Sequence, residues 1–353
     1  MATDKVAAEL AAVRDAVYDI GTSWDGPTAD VRCGTVQRSK RILDQTPFIP
    51  QKVLEIYNSL HVRLPRLVGS TSVVKDIKYG PAKRNVLDVF VPAGVFTSAR
   101  SVVVYFHGGG FFAGDKVMNE VVYSNIGYYF AKHGYVTVIA NYQLVPHCLY
   151  PAPADDVQLV REWVHANIST STYGSGDVDK VVIVGQSAGG SHIATNLYAR
   201  GDPNRAHSSD ALVPPLAGVA YLSTPFSFDY TKARRAQTLR EYYGSDQPEE
   251  WKNRCPLGLF EALPEGDIAL SPRKLPTLLT VGELDSQEIV DGNVLFFNAY
   301  RQKSLPQGVL PLFHVLPSHN HISNVFSIGT EDDIQGQMLR DFIERCCLAA
   351  SKG

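Results

Sequence analysis

Cysteine is scarce in this chain: five in 353 residues, at Cys33, Cys148, Cys255, Cys346 and Cys347. They are too few and too scattered for a disulfide framework, and none stands in a CxxC or Cys/His spacing that would hold zinc, so no metal is expected. The adjacent pair at 346 and 347 reads as two thiols of a terminal helix. An excess of one charge is missing too. Thirty-three Lys plus Arg face 36 Asp plus Glu, a net charge of −3, which excludes the basic surface that nucleic-acid binding needs. There are no charge blocks, internal repeats or low-complexity stretches. No apolar run approaches the roughly 20 residues that cross a bilayer, so no membrane span is expected. The N-terminal MATDKVAAELAAVRDAVYDIG lacks the apolar centre of a signal peptide. Ser351-Lys352-Gly353 lacks the final Leu of a peroxisomal tripeptide. The expected setting is cytoplasmic and reducing.

What the chain does have is apolar residues in the right order. At 44% hydrophobic it can fill a large core. Its length suits two ordinary domains or one large α/β domain with insertions. Residues 5–20 carry Val6, Leu10, Val13, Val17 and Ile20 at helical spacing. Residues 21–70, with Pro27, Pro47, Pro50 and Pro65, read as irregular. Two strands, Thr71–Tyr79 and Asn85–Val91, flank a Gly80-Pro81 turn as an antiparallel pair. Then short apolar runs at 101–106, 135–142, 180–185, 216–223, 276–282 and 311–317 alternate with helical patterns, the last at about 331–349. Buried strands alternating with helices predict a doubly wound, mostly parallel sheet. Residues 224–275 break the alternation and read as a helical cap inserted over one end of the sheet. The expected division is an N-terminal helical cap segment, 1–70, and a catalytic domain, 71–353. Segments 1–60 and 224–275 are expected to meet over the reacting centre, because ligands in open α/β sheets bind beyond the strands' carboxyl ends.

GQSAG, Gly185 to Gly189, fits GxSxG and stands between a strand and a helix. A sharp turn there exposes its central residue, so Ser187 is the candidate nucleophile. HGGG, His107 to Gly110, follows the strand at 101–106. Consecutive glycines leave backbone N–H groups free to meet a developing oxyanion. Phe111 and Phe112 follow, either lining a substrate pocket or packing in the core; His107 reads as structural. An acid and a base are expected later in the chain, in the order Ser, Asp or Glu, His. Asp285 follows a strand whose end points to the edge of Ser187 and is preferred over Glu288 and Glu283. The base comes from LPSHNHISN, as His319 or His321.

With HGGGFFAGD (107–115), NYQLVPHCLYPAPADDV (141–157), GQSAG, GELD (282–285) and SHNHIS (318–323) taken together, the chain resembles an α/β-hydrolase. Within that fold it is similar to the hormone-sensitive-lipase-like esterases and the arylformamidases, over about residues 70 to 345. The resemblance implies an α/β-hydrolase fold and a triad of Ser187, Asp285 and His321, the second histidine aligning with the base. It implies oxyanion donors at Gly109, Gly110 and Ala188. It implies neither cofactor nor metal. The chain departs from the usual pattern at Gln143, where Arg is common, and at Ser318, where Gly is.

The resulting expectation is a serine hydrolase acting on a small apolar ester through an acyl-enzyme on Ser187, with a lactone, formamide or other amide as further possible bonds. Its partner is a small-molecule substrate, and its oligomeric state is open, a homodimer being one option. The competing expectation is the same fold reused for lyase or cyclase chemistry or as a small-molecule receptor; receptors on this fold typically lose a triad member, and here each member has a candidate.

Overall fold

The structure, a computed structural model, describes residues 2–20, 51–61, 71–94, 98–118, 122–205 and 212–351. The described strands are β1 (Thr71–Lys78), β2 (Val86–Pro92), β3 (Arg100–Phe106), β4 (Val136–Ala140), β5 (Gly176–Gln186), β6 (Gly218–Leu222), β7 (Thr277–Leu284) and β8 (Leu312–Asn320). They form one sheet in the order β1-β2-β4-β3-β5-β6-β7-β8. β1 and β2 are antiparallel, β2 runs antiparallel to β4, and every later pairing is parallel. This is the α/β-hydrolase fold.

The described helices are α1 (Ala2–Ile20), α2 (Gln51–His61), α3 (Ser124–Lys132), α4 (Ala152–Asn167), α5 (Ala188–Leu197), α6 (Ala233–Tyr243), α7 (Pro248–Arg254), α8 (Pro256–Glu261), α9 (Gln287–Lys303), α10 (Ser323–Phe326) and α11 (Ile334–Ala350). Helices on both faces bury the parallel strands twice over, which is why those strands are near-continuous apolar runs. In β3, Val102, Val104 and Phe106 pack with α4, α5 and α9, whereas Val103 and Tyr105 pack with α3 and α11. Full burial of each such side chain is worth roughly 1.5–3 kcal/mol. Cys346 and Cys347 lie buried in α11, and burial pushes the Cys346 thiol up to about 12, so it packs as a small apolar group.

Residues 51–61 are helical, which corrects the irregular reading of 21–70 over that stretch; 21–50 and 62–70 lie outside the described residues. Val53, Tyr57 and Leu60 fall on one buried stripe, packed with Val13 and Val17 of α1. Pro50 precedes the helix, where it breaks nothing. In the insertion, Pro248 and Pro256 likewise open α7 and α8, positions where proline's missing N–H costs no helical bond.

Three histidines are buried without charge. Desolvation lowers His61 to about 4, His107 to about 4 and His192 to about 3. In the unfolded chain they bind protons below their ordinary value of 6.5, while the folded protein refuses them until near 4. Stability is therefore full above about pH 6.5 and falls as pH drops toward 4, by up to about 1.4 kcal/mol per pH unit per histidine. Asp333, raised to about 6 by burial, opposes this below pH 6, as do Asp155 and Asp156, whose carboxyls burial also raises, while burial also lowers His133 and His319, which add to the fall. Urea midpoints at pH 7, 6 and 5 should fall in that order. Midpoints level from pH 7 to 5 would show that these imidazoles accept protons in the native state.

Candidate active site

Ser187 lies between β5 and α5 with φ 51° and ψ −123°. An L-residue held there costs about 1–3 kcal/mol and persists because its surroundings over-determine it. Its N–H donates to Leu222 O at 2.9 Å and its carbonyl accepts from Ser191 N at 3.1 Å. The small residues of GQSAG have a steric cause, since a Cβ on Gly189 would lie 2.5 Å from His107 O. The turn thus presses the start of α5 against the end of β3.

His321 follows β8, and Asp285 follows β7. His321 Nε2 is 2.8 Å from Ser187 Oγ, and His321 Nδ1 is 2.7 Å from Asp285 Oδ1. The Asp285 carboxylate accepts the Nδ1 proton, so the lone pair of Nε2 faces the serine hydroxyl. Its other oxygen accepts from Gly282 N at 2.8 Å and from the Ser223 hydroxyl, while Asn324 Nδ2 donates to Ser223 Oγ at 2.8 Å. Asp285 is buried, so these bonds replace the water it has lost. Four neighbouring strands, β5 to β8, contribute Ser187, Ser223, Asp285 and His321 from their carboxyl ends. Parallel pairing brings those ends to one edge.

The competing candidates are engaged elsewhere. Glu283 accepts the N–H of Ser318 at 2.8 Å. Glu288 pairs with Arg235 (Nε 3.1 Å from Oε2) and accepts Asp229 N at 2.9 Å, tying α9 to the insertion. His319 is buried, its Nδ1 3.1 Å from Ser323 Oγ.

The glycine loop lies beside the serine: a Cβ on Gly108 would be 3.2 Å from Ser187 Cβ. Gly109 and Gly110 have φ of 142° and 62°, conformations that glycine adopts without strain. The turn closes with Ala113 N donating to Gly109 O at 2.9 Å. Among the described residues, no carbonyl or side chain accepts the N–H of Gly109 or of Gly110. Ala188 opens α5, where backbone N–H groups have no intrahelical acceptor. Donors of this kind can hold a developing negative oxygen.

His107 is buried against Tyr142, with ring centroids 4.5 Å apart, and donates from Nδ1 to Gly108 O at 2.7 Å. Phe111 is only 2% exposed and packs on His192, Phe228 and Tyr242. Its ring serves the joint between body and insertion rather than an open wall. Phe112 is half-buried, with the Arg234 guanidinium 5.1 Å above its ring. The insertion helices α6 and α7 bring Leu239, Tyr242, Tyr243 and Trp251 onto Phe111 and Ala188. Helix α1 packs on β8 and α2 packs on α10, in the cluster that also holds α3 and α11. Among the described residues, no cluster of three or more His, Cys, Asp or Glu could hold a metal ion, and no helix is long and apolar enough to cross a membrane.

Several residues around the site carry no sequence signal of their own. Gln186 Nε2 donates to His321 O at 3.0 Å and its side chain abuts Gly108, joining the histidine loop to the glycine loop. Arg84, from the β1–β2 turn, donates to Tyr142 O and Gly114 O at 2.8 Å each, bracing the loops after β3 and β4. Gln143 donates from its backbone to Asp156 Oδ2 at 2.7 Å. Ser223 had a faint signal, as a polar residue closing an apolar strand at the site edge.

Residues 87–205 match the family model described as BD-FAE. Probable carboxylesterase 7 of Arabidopsis thaliana is 29% identical over 154 residues, 39% of this chain and 49% of that protein. The chain spans about half the length, or less, of the first curated relatives it matches. Among solved structures, esterase B of Lactobacillus rhamnosis superposes with a TM-score of 0.63 at 18% identity, covering 86% of this chain and 96% of that one. A thermostable carboxylesterase from a metagenomic library superposes with a TM-score of 0.56 at 15% identity, covering 84% and 96%.

Proposed function

We propose that this chain of α/β-hydrolase fold is a serine carboxylesterase of the hormone-sensitive-lipase-like group, acting on small apolar esters through an acyl-enzyme. The observation that carries this reading is the unbroken chain of hydrogen bonds from Asp285 through His321 to Ser187 Oγ. Ser187 Oγ attacks the ester carbonyl as His321 Nε2 takes its proton. The carbonyl oxygen gains negative charge and is held by the N–H groups of Gly109, Gly110 and Ala188. His321 delivers the proton to the leaving alcohol as the C–O bond breaks. Water then adds to the acyl-enzyme, losing its proton to His321, and the acid leaves as Ser187 recovers it. Asp285 keeps the imidazole oriented and stabilises its protonated form.

Phe112 forms one wall of the acyl or alcohol site, with Phe111 behind it as a buttress. Helices α6 and α7 supply a further part of the enclosure. The preferred acyl length is a matter of about 1–3 kcal/mol per methylene.

The test is a panel of p-nitrophenyl esters of increasing acyl length, with matched amides and lactones, run in isotopically labelled water. One labelled oxygen should enter the released acid, and a fluorophosphonate should modify Ser187 stoichiometrically. Labelling of Ser187 without oxygen incorporation would mean the triad serves non-hydrolytic chemistry. No labelling would mean the fold serves as a receptor.

A further inference from the structure

Beneath the site, the two N-terminal helices converge on one buried carboxylate. Asp332 Oδ1 accepts from Arg14 Nε at 3.0 Å and Nη2 at 2.7 Å, out of α1. Asp332 Oδ2 accepts from the Tyr57 hydroxyl of α2 at 2.9 Å. The same oxygen is 3.7 Å from His319 Nε2, which has no hydrogen-bond partner among the described residues. Asp332 and His319 are both 0% exposed.

From His319 the contacts run into the turn that carries His321. His319 Nδ1 meets Ser323 Oγ at 3.1 Å, and Ser323 Oγ accepts the N–H of Asn320 at 2.8 Å. Asn320 Oδ1 accepts from Ile322 N at 3.1 Å and Ser323 N at 3.0 Å. His321 sits inside this loop of bonds.

We propose that Asp332 is a positioning residue through which α1 and α2 hold the turn that carries His321, so that the N-terminal helices belong to the catalytic apparatus. For catalysis, this rests on the reading of Ser187, His321 and Asp285 given above. The charged and titratable groups facing His319 are Asp332 before α11, Arg14 from α1 and Tyr57 from α2, with His61 of α2 buried nearby beside Tyr57 and Phe326. Burial lowers the pKa of His319, Asp332 raises it and Arg14 lowers it again. Neutral His319 fits the observed turn. Without Arg14, the unbalanced carboxylate draws a proton onto His319. Both ring nitrogens are then donors, so the imidazole moves toward Asp332 and no longer accepts from Ser323. The Ser323–Asn320 bond, and with it His321, shifts.

The experiment uses the full chain carrying Arg14→Met, the double variant Arg14→Met with Asp332→Asn, and Tyr57→Phe as a milder break should Arg14→Met not fold. Histidine-labelled samples are titrated by NMR, with His319 identified by a His319→Gln control, and kcat on one ester is followed from pH 5 to 9. In the parent protein the His319 titration midpoint should lie below the ordinary imidazole value. In Arg14→Met its titration midpoint should rise by about one pH unit or more, as for loss of a nearby opposite charge to its carboxylate partner. The acid limb of kcat should move up with it, so that kcat on that limb drops about tenfold for a midpoint one pH unit higher and recovers at high pH. The double variant should bring the His319 midpoint and the acid limb back toward the parent's, because it removes both charges while the amide oxygen at position 332 can still accept from the Tyr57 hydroxyl and keep the link to α2. An Arg14→Met protein with lower stability but an unmoved His319 titration and pH profile would overturn the proposal, as would a double variant as impaired as the single one. If the parent hydrolyses no ester, the esterase reading fails, while the NMR titration still decides whether Arg14 and Asp332 control His319.

Discussion

Ser187→Ala should lower kcat by roughly 10⁴–10⁶-fold with little change in KM or in the urea midpoint. The loss is large because the acyl group has no other oxygen to occupy. A mutant that keeps more than about a hundredth of the parent rate cannot have lost its nucleophile. The fold should survive, because the backbone bonds of Ser187 to Leu222 and Ser191 do not involve the hydroxyl. The pairing of a dead enzyme with an intact midpoint is therefore the informative result. An equal fall in rate and stability would place Ser187 in the framework rather than in the chemistry.

The second large effect separates two histidines that stand two positions apart. His321→Ala should cost about 10⁴-fold or more in kcat, since it removes both proton transfer and the bond that orients the serine. His319→Gln should cost far less, on the order of tenfold, because it touches no reacting atom and the amide can still bond Ser323. The geometry behind the difference is direct: His321 bridges Asp285 and Ser187, whereas His319 faces Ser323 and Asp332. The comparison is made on one ester at pH 8. A His321→Ala enzyme that retains most of its rate while His319→Gln is inactive would reverse the assignment. Retention by both would remove the triad altogether.

What the sequence could carry by itself was whatever is local and periodic. β3 and β5 are legible as apolar runs because a strand buried on both faces has no room for polar side chains. Gly185 to Gly189 and His107 to Gly110 are legible because a sharp turn against a neighbouring strand excludes a Cβ, and small residues close together in a chain are conspicuous. The order Ser187, Asp285, His321 is legible because parallel strands put all their following loops at one edge. The helix at 51–61 was not, because prolines nearby look like breakers until their place relative to the helix start is known.

Contacts between distant segments were decided by the tertiary structure. Nothing near Arg84 in the chain points to its bracing of the glycine loop, and nothing near Ser223 or Asn324 points to Asp285. Asp285, Glu283 and Glu288 lie within six positions of one another, and only packing settles which faces His321, which caps Ser318 and which holds Arg235. Nothing in the sequence around Asp332 marks it. Burial between α1, α2 and the His321 turn makes it a charge that must be paired. Periodicity and sterics act along the chain and leave a pattern there; desolvation and charge pairing act across space and leave none.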